Sequence, residues 1–477
     1  MVDNLLSHDL LLVVLLWLGV ILYERWSPNR SAPRATTRKP APPTTKRSGD
    51  PKLFPGLPHK PRCAACEQAP EPSSPAPLAL PWLLSSSPGR PRQVDTSKQF
   101  CPQPKCTYYG WVGRGNIRAN GYPSGGRWRQ FQCRSCKKYF LETHGTPLPG
   151  KRVPPEVLVW VIGAVAEGLG IRAVARVFAV DPNTVLQWLL EGADQAAALS
   201  RYFLHDVQGT QVQLDELFAV LSTVKAGEVR EGKAPNRLSP SPYWVWVALD
   251  PGSKLLLALE VGERTLALAQ RLVHQVAQVL APGCVPLFLT DGFKEYLTAV
   301  LTHYGHWIPR PRGWATGPRP KPRWMPLPQL HYAQVVKKIR CRRLVAVSSR
   351  VVFGTLAGVK QILAPTGWQI NTACVERVNL TIRQHVAAVG RRVTTVCKNE
   401  AGLRQQLALY QAYYNFCLPH ASLRLSLSQP EPTKGTGSAK SWRPCTPAVA
   451  AGLTDHVWTL HEVLLFRVPP WSQPHKW

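Results

Sequence analysis

Residues 211–221 (QVQLDELFAVL), 243–250 (YWVWVALD) and 254–261 (KLLLALEV) are three β-rich runs; a helical run, 265–280 (TLALAQRLVHQVAQVL), separates them from a fourth at 285–290 (VPLFLT). Apolar runs of strand length predict strands, and the 3.6-residue period of 265–280 predicts an amphipathic helix. Their succession reads as an α/β core, a sheet with helices laid on it. Asp215 falls inside the first run, where a charge costs free energy unless it is exposed or bound to something. Asp291 ends the last run and precedes Gly292. That is the C-terminal tip of a strand, where ligand sites of open α/β sheets gather.

Working outward, residues 305–343 are strongly basic and Pro-rich, and one long helical stretch is predicted from near Thr372 past Tyr414. Glu376, Asn379 and Arg383 follow there at steps of three and four, so they share one helix face. Two Mg²⁺ (or Mn²⁺) ions with hard oxygen ligands are what phosphodiester chemistry requires. Asp215, Asp291 and Glu376 suffice to bridge such a pair. Taken singly, each acid has a solvated surface acid as its default explanation. Glu216 is a rival ligand to Asp215, although strand alternation points it to the opposite face. Asp250 and Glu260 are further acids of the predicted sheet, with less support.

Upstream, 155–196 reads as three helices. Gly168 and Gly170 end the first, Ile171 to Phe178 form the second, and Asp181-Pro182 starts the third as an N-cap followed by proline. Val185, Trp188 and Leu189 form its buried face. Asn183, Thr184 and Gln187 remain near its N-terminus, where a recognition helix offers side chains to the major groove. A plain trihelical bundle has the same periodicity. Before it, Cys101-x4-Cys106 and Cys133-x2-Cys136 stand 26 residues apart, a spacing that supplies the four soft ligands of tetrahedral Zn²⁺. Four cysteines leave no open position, so the metal is structural, and it supplies folding free energy that a Gly-rich ribbon lacks. Arg127, Trp128 and Arg129, with Arg134, Lys137 and Lys138, set cations and an aromatic ring by the second knuckle. The ribbon either touches DNA or only braces its neighbour.

The first 96 residues are different. Leu10 to Tyr23 is a nearly unbroken apolar run, shorter than the roughly 20 residues that span a bilayer. It either inserts into a membrane through residues 5–23, with the basic chain after it on the cytoplasmic side, or forms an amphipathic or buried helix. A start codon assigned too far upstream also accounts for it. Positions 27–96 hold 16 Pro among 70 residues and read as an extended basic linker that buries no core. Its lone Cys63/Cys66 pair cannot fill a four-ligand site. Over the whole chain, 58 Lys and Arg against 28 Asp and Glu give a formal charge of +30. Such a field favours a polyanion, nucleic acid before membrane. Most of the 12 Cys are unpaired in sequence, which fits a reducing compartment rather than a disulfide framework.

With these residues in view, the chain resembles DDE transposases of bacterial insertion sequences, over roughly 98–465. The matching pieces are CPQPKC, RWRQFQCRSCKKYFLETHGTPL, QLDELFAV, LTDGFKEY, VERVNLTIRQHVAAVGRR, YYNFCLPHASL and TPAVAAGLTDHVWTL. The resemblance implies a ribonuclease H-like mixed sheet flanked by helices, with Asp215, Asp291 and Glu376 in its three acidic positions. It implies that Asn379 and Arg383 support that site or hold DNA phosphate; His385 and His420 acquire no role. It also implies cleavage at the ends of an element in double-stranded DNA, then strand transfer to a target. The expected partners are both DNAs and further copies of the chain, as a homodimer or higher oligomer on DNA. The expected location is the cytoplasm, at the nucleoid, with or without an inner-membrane tether.

The resulting domain plan is an apolar segment (1–26), linker (27–96), zinc ribbon (97–149), helix-turn-helix (150–200), catalytic domain (205–425) and tail (426–477). Lysines and arginines of 305–343 (Arg310, Arg312, Lys321, Lys337, Lys338, Arg340, Arg342, Arg343) are expected to hold the DNA backbone. The rivals are a non-catalytic DNA-binding regulator descended from such an enzyme, a structure-selective nuclease of the same fold, and a membrane-anchored zinc protein.

Overall fold

The computed structural model describes residues 94–219, 221, 243–309, 321–341, 343–390, 397, 399–432 and 438–473. The apolar segment, the linker through residue 93 with Cys63 and Cys66, the loop 222–241, and Arg310, Arg312 and Arg342 lie outside them. Among the described residues no helix is long and apolar enough to cross a membrane.

The runs that opened the sequence reading are the strands β4 (Gln211–Phe218), β5 (Tyr243–Leu249), β6 (Leu256–Glu263) and β7 (Leu287–Thr290). With β10 (Tyr332–Arg340) and β11 (Arg343–Phe353) they form one six-stranded sheet, ordered β11-β10-β7-β4-β5-β6. β4 pairs in parallel with β7, and β7 with β10; the remaining pairs are antiparallel. Val245 through Leu249 are all buried because both faces of the sheet are covered. One face packs on the helices Leu266–Val279 and Glu295–His303 through Leu214, Trp246, Leu272, Val276 and Tyr296. The other packs on the helices Ala373–His385 and Glu400–Ala412 through Val245, Val247, Val375, Ile382 and Leu407. The mixed sheet with helices on both faces fits a ribonuclease H-like core.

Two expectations are corrected here. The long helix expected past Tyr414 is two helices; the first ends at His385, and a short 3-10 turn, Ala387–Val389, follows it. The break falls at Val386, a β-branched residue whose backbone is extended (φ −102°, ψ 95°), an unfavourable choice for helix propagation. The stretch 305–343 is also more than a basic surface. It holds the antiparallel pair β8 (Gly305–Ile308) and β9 (Arg323–Pro326), and its end is β10, an inner strand of the sheet. The apolar half of β10, Tyr332–Val335, is buried against β7, while Lys337, Lys338 and most of β11 are exposed.

Before the sheet lie β1 (Ile117–Ala119), β2 (Gln130–Cys133) and β3 (Tyr139–Leu141), one antiparallel three-stranded sheet around Cys101, Cys106, Phe131, Cys133 and Phe140. Three helices follow: α1 (Pro155–Ala166), α2 (Ile171–Val177) and α3 (Pro182–Phe203). The Asp181 side chain accepts from the Asn183 backbone N–H, as an N-cap does, and Val185, Trp188 and Leu189 are buried. Gly192 lets α1 approach closely, since an added Cβ would lie 2.9 Å from Ile162 Cδ1. α3 runs to Phe203, past residue 196 where the three-helix stretch was expected to end. Its last turns carry Phe203 edge-on to Phe416 and Trp458. Residues of the expected tail join this core: Gln195 Nε2 donates to the Phe466 carbonyl at 2.6 Å, and Trp458, Val463 and Leu464 are buried.

Candidate functional site

Sheet register sets the acids. Leu214 pairs with Thr290, so Asp215, midway along β4, comes level with Asp291, just past the end of β7. Oxygens of Asp215, Glu216 and Asp291 all lie within 4.8 Å of one another. Oxygens on opposite sides of an octahedral divalent ion stand about 4.2 Å apart, so the group fits one. Alternation along β4 does hold. Asp215 turns to the Ala373–His385 helix, where Asn379 Nδ2 donates to its Oδ2 at 2.8 Å. Glu216 turns to the other face, where Tyr296 OH donates to its Oε2 at 3.0 Å. The two carboxylates nevertheless lie within 4.8 Å of each other and of Asp291, just past the tip of β7.

This crowding has an electrostatic consequence. Burial, and then the charges of Glu216 and Asp291, push the Asp215 carboxyl up to about 7. Burial and Asp291 also raise Glu216, against the opposing pull of Arg264. Arg264 Nε donates to Glu216 Oε1 at 2.5 Å, and its Nη2 lies 3.9 Å from Asp291 Oδ2. The guanidinium rests over Phe293, 4.2 Å from the ring centre. Arg264 and Tyr296 were missed in the sequence; their only signal was the acid beside Asp215.

Glu376 stands apart from the three clustered acids. Its carboxylate is paired with Lys337 and accepts from Thr372 Oγ1 at 3.0 Å. It remains near enough to contribute to the raised Asp215 value. Its helix is pinned to β4 by buried Gln213, whose Oε1 accepts from the Val375 N–H at 3.0 Å and whose Nε2 donates to the Asn371 carbonyl at 3.1 Å. Arg383 Nη1 donates to the Val389 carbonyl at 3.3 Å. Asp250 and Glu260 have structural partners. Asp250 accepts from the Gly252 and Ser253 amides in a turn, and Glu260 is buried against Arg404 at 2.6 Å.

The four cysteines come together as their spacing predicts. Cys101 Sγ lies 3.6 Å from Cys136 Sγ, and Cys106 Sγ lies 3.8 Å from Cys133 Sγ. Sulfurs 2.3 Å from a tetrahedral zinc stand about 3.8 Å apart, so the cage fits Zn²⁺ and is far too open for disulfides. Burial opposes ionisation, but the Cys136 amide, the Asn116 side chain and the Ser135 amide bring the Cys133 thiol down to about 7. Nearby, Arg127 pairs with Glu156 at 3.3 Å, and Arg129 lies over the Tyr122 ring at 4.7 Å. On α3, Asn183 and Gln187 are exposed and Thr184 is half-buried. Arg172 and Arg176 of α2 add two exposed cations the sequence reading passed over.

No family model and no curated protein matches the chain. Among solved structures it is similar to the Mos1 strand transfer complex at 16% identity, over 32% of this chain and 56% of that one, with a TM-score of 0.13. The Mos1 transposase paired-end complex with left transposon end gives 16% identity, 32% and 58% coverage and the same TM-score, 0.13. The Mos1 mariner paired-end complex with Mn gives the same four figures, 16%, 32%, 58% and 0.13. This chain thus spans little more than half the length of the Mos1 chains it matches.

Proposed function

We propose that the chain is a DDE-type DNA transposase, binding the ends of its element in double-stranded DNA and catalysing metal-dependent cleavage and strand transfer. The observation that carries this reading is the meeting of Asp215, midway along β4, with Asp291, just past the end of the parallel strand β7, on a chain of net charge +30. Mg²⁺ or Mn²⁺ held by Asp215, Asp291 and Glu376 would supply Lewis-acid activation of the attacking and leaving oxygens. Asn379 fixes one oxygen of Asp215 and so orients the other. Gln213 sets the height of the Glu376 helix against β4. Arg264 and Lys337 are cations already seated beside the acids, suited to hold a phosphodiester there. Lys338, Arg127 and Arg129 add phosphate contacts that position DNA without reading its sequence.

Sequence reading falls to Asn183, Thr184 and Gln187 at the start of α3, offered as a recognition helix. Zn²⁺ on the four thiolates is structural in this scheme, because it has no open position. Joining two ends calls for a dimer or higher oligomer on DNA. The test is a nicking and strand-transfer assay of the full chain, with Mg²⁺ or Mn²⁺, on duplexes taken from the DNA on either side of its reading frame. Wild type is expected to cut and join. Asp215→Ala and Asp291→Ala are expected to bind the same duplexes and cut nothing. A wild type that binds but never cuts with either metal sinks the enzyme and leaves the DNA-binding regulator.

A further inference from the structure

Arg467 is a buried cation far from the carboxylates, 7% exposed, in the stretch the sequence reading left as a tail. Its Nε donates to the His144 carbonyl at 3.0 Å, Nη1 to Gln99 Oε1 at 2.7 Å and Nη2 to the Phe100 carbonyl at 3.3 Å. It also lies over the Phe100 and Phe140 rings, 4.4 and 4.6 Å from their centres. Every one of these partners is neutral, and among the described residues no carboxylate pairs with it. Burying a guanidinium without an anion is costly. Cys101 follows Phe100 in the chain, and Phe140 shares one small core with Cys101, Cys106 and Cys133. Zinc on four thiolates carries a net charge of about −2, which is the missing anion.

We propose that Arg467 is the counter-cation of a zinc tetrathiolate at Cys101, Cys106, Cys133 and Cys136, so that metal loading and docking of the C-terminal strap, residues 466–473, are one coupled event. The strap clasps the first knuckle. Pro470 sits on Gly110, where an added Cβ would lie 2.5 Å from its Cγ. Trp471 stands edge-on to Tyr109 at 5.2 Å, and Gln473 bonds both the Val112 N–H and the Gly110 carbonyl. Gly110 N–H in turn donates to the Cys101 carbonyl at 3.0 Å. A lost counter-charge therefore weakens the metal, and a lost metal strands the arginine and loosens the strap.

The proposal rests on the zinc reading, and the test separates the two. Full-length wild type, Arg467→Gln and Arg467→Lys are titrated against a chromophoric zinc chelator, and wild type is digested with a protease before and after zinc is stripped. Arg467→Gln is expected to hold zinc about 10- to 100-fold more weakly, the range for groups outside the ligand shell. Arg467→Lys is expected to keep most of the affinity, and stripping zinc to open the strap to cleavage. Equal zinc affinity in wild type and Arg467→Gln overturns the proposal. So does a loss in Arg467→Lys as large as in Arg467→Gln, or a strap equally resistant with and without zinc. A wild type that binds no zinc removes the zinc reading itself, and this coupling with it.

Discussion

Cys101, Cys106, Cys133 and Cys136 form one gathering of metal-competent groups, and Asp215, Glu216 and Asp291 another; each falls within 4.8 Å, in opposite surroundings. The thiols are supplied by two tight turns and lie mostly buried, with amides aimed at sulfur. The carboxylates sit midway along β4 and just past the tip of β7, with two partly exposed cations beside them: Arg264 at Glu216 and Lys337 at the nearby Glu376. A closed cage of soft ligands makes a metal part of the fold. An open cluster of repelling hard ligands holds a metal less tightly and leaves room for substrate. One region spends its ligands on stability, whereas the other is held in an electrostatically unfavourable arrangement that suits catalysis.

The sharpest way to break this contrast is to remove one ligand from each region. Cys133→Ser should lose zinc and unfold the ribbon, because structural zinc contributes about 10–16 kcal/mol in small zinc domains. Metal content and limited proteolysis read this out. A Cys133→Ser protein as protease-resistant as wild type would erase the distinction. Asp215→Ala should instead leave the fold intact.

A second experiment concerns which acid completes the carboxylate site. Glu376→Gln is expected to abolish cleavage, whereas Glu216→Gln, losing only its grip on Arg264 and Tyr296, should slow it by about 10- to 100-fold. The reverse ranking would make Glu216 the third ligand and Glu376 a partner of Lys337.

The third prediction concerns pH. The Asp215 carboxyl titrates near 7 in the folded chain, against 3.8 ordinarily. Between those values the folded state keeps a proton that the unfolded state has lost, so its contribution falls as pH rises from about 4 through 7. Asp215→Asn, metal-free at its carboxylates, should therefore melt higher than wild type, and by more at pH 8 than at pH 5. A gap that narrows toward pH 8 would contradict the electrostatic account. Smallest of all, Lys337→Met breaks an ion pair that is 41% and 46% exposed. It should change thermal stability by less than about 1 kcal/mol, since exposed pairs contribute little.

Much of the fold was legible because its signals are local. The apolar runs at 211–218 and 243–249 became strands, and Asp181 caps α3 as its neighbour Pro182 suggested. β10 was hidden because its outer half carries Lys337, Lys338 and Arg340, which read as a basic surface. The Ala373–His385 helix was foreseen and its partner Gln213 was not, since a buried Gln on a strand has no period to reveal it.

By itself the sequence determined the strands β4 to β7, the paired cysteines, the strand-tip setting of Asp291 and the helix face shared by Glu376 and Asn379. Each follows from residues within a turn or a strand of one another. Only the tertiary structure decided that Glu216 joins Asp215 and Asp291 while Glu376 turns to Lys337, and that Arg467 reaches back to Phe100. Those contacts span 80 residues from Glu216 to Tyr296, 164 from Asp215 to Asn379 and 367 from Phe100 to Arg467. Closing loops of that size is an entropic cost that the whole packed core offsets together. Local pattern therefore says which side chains are available, and sheet register says which of them meet.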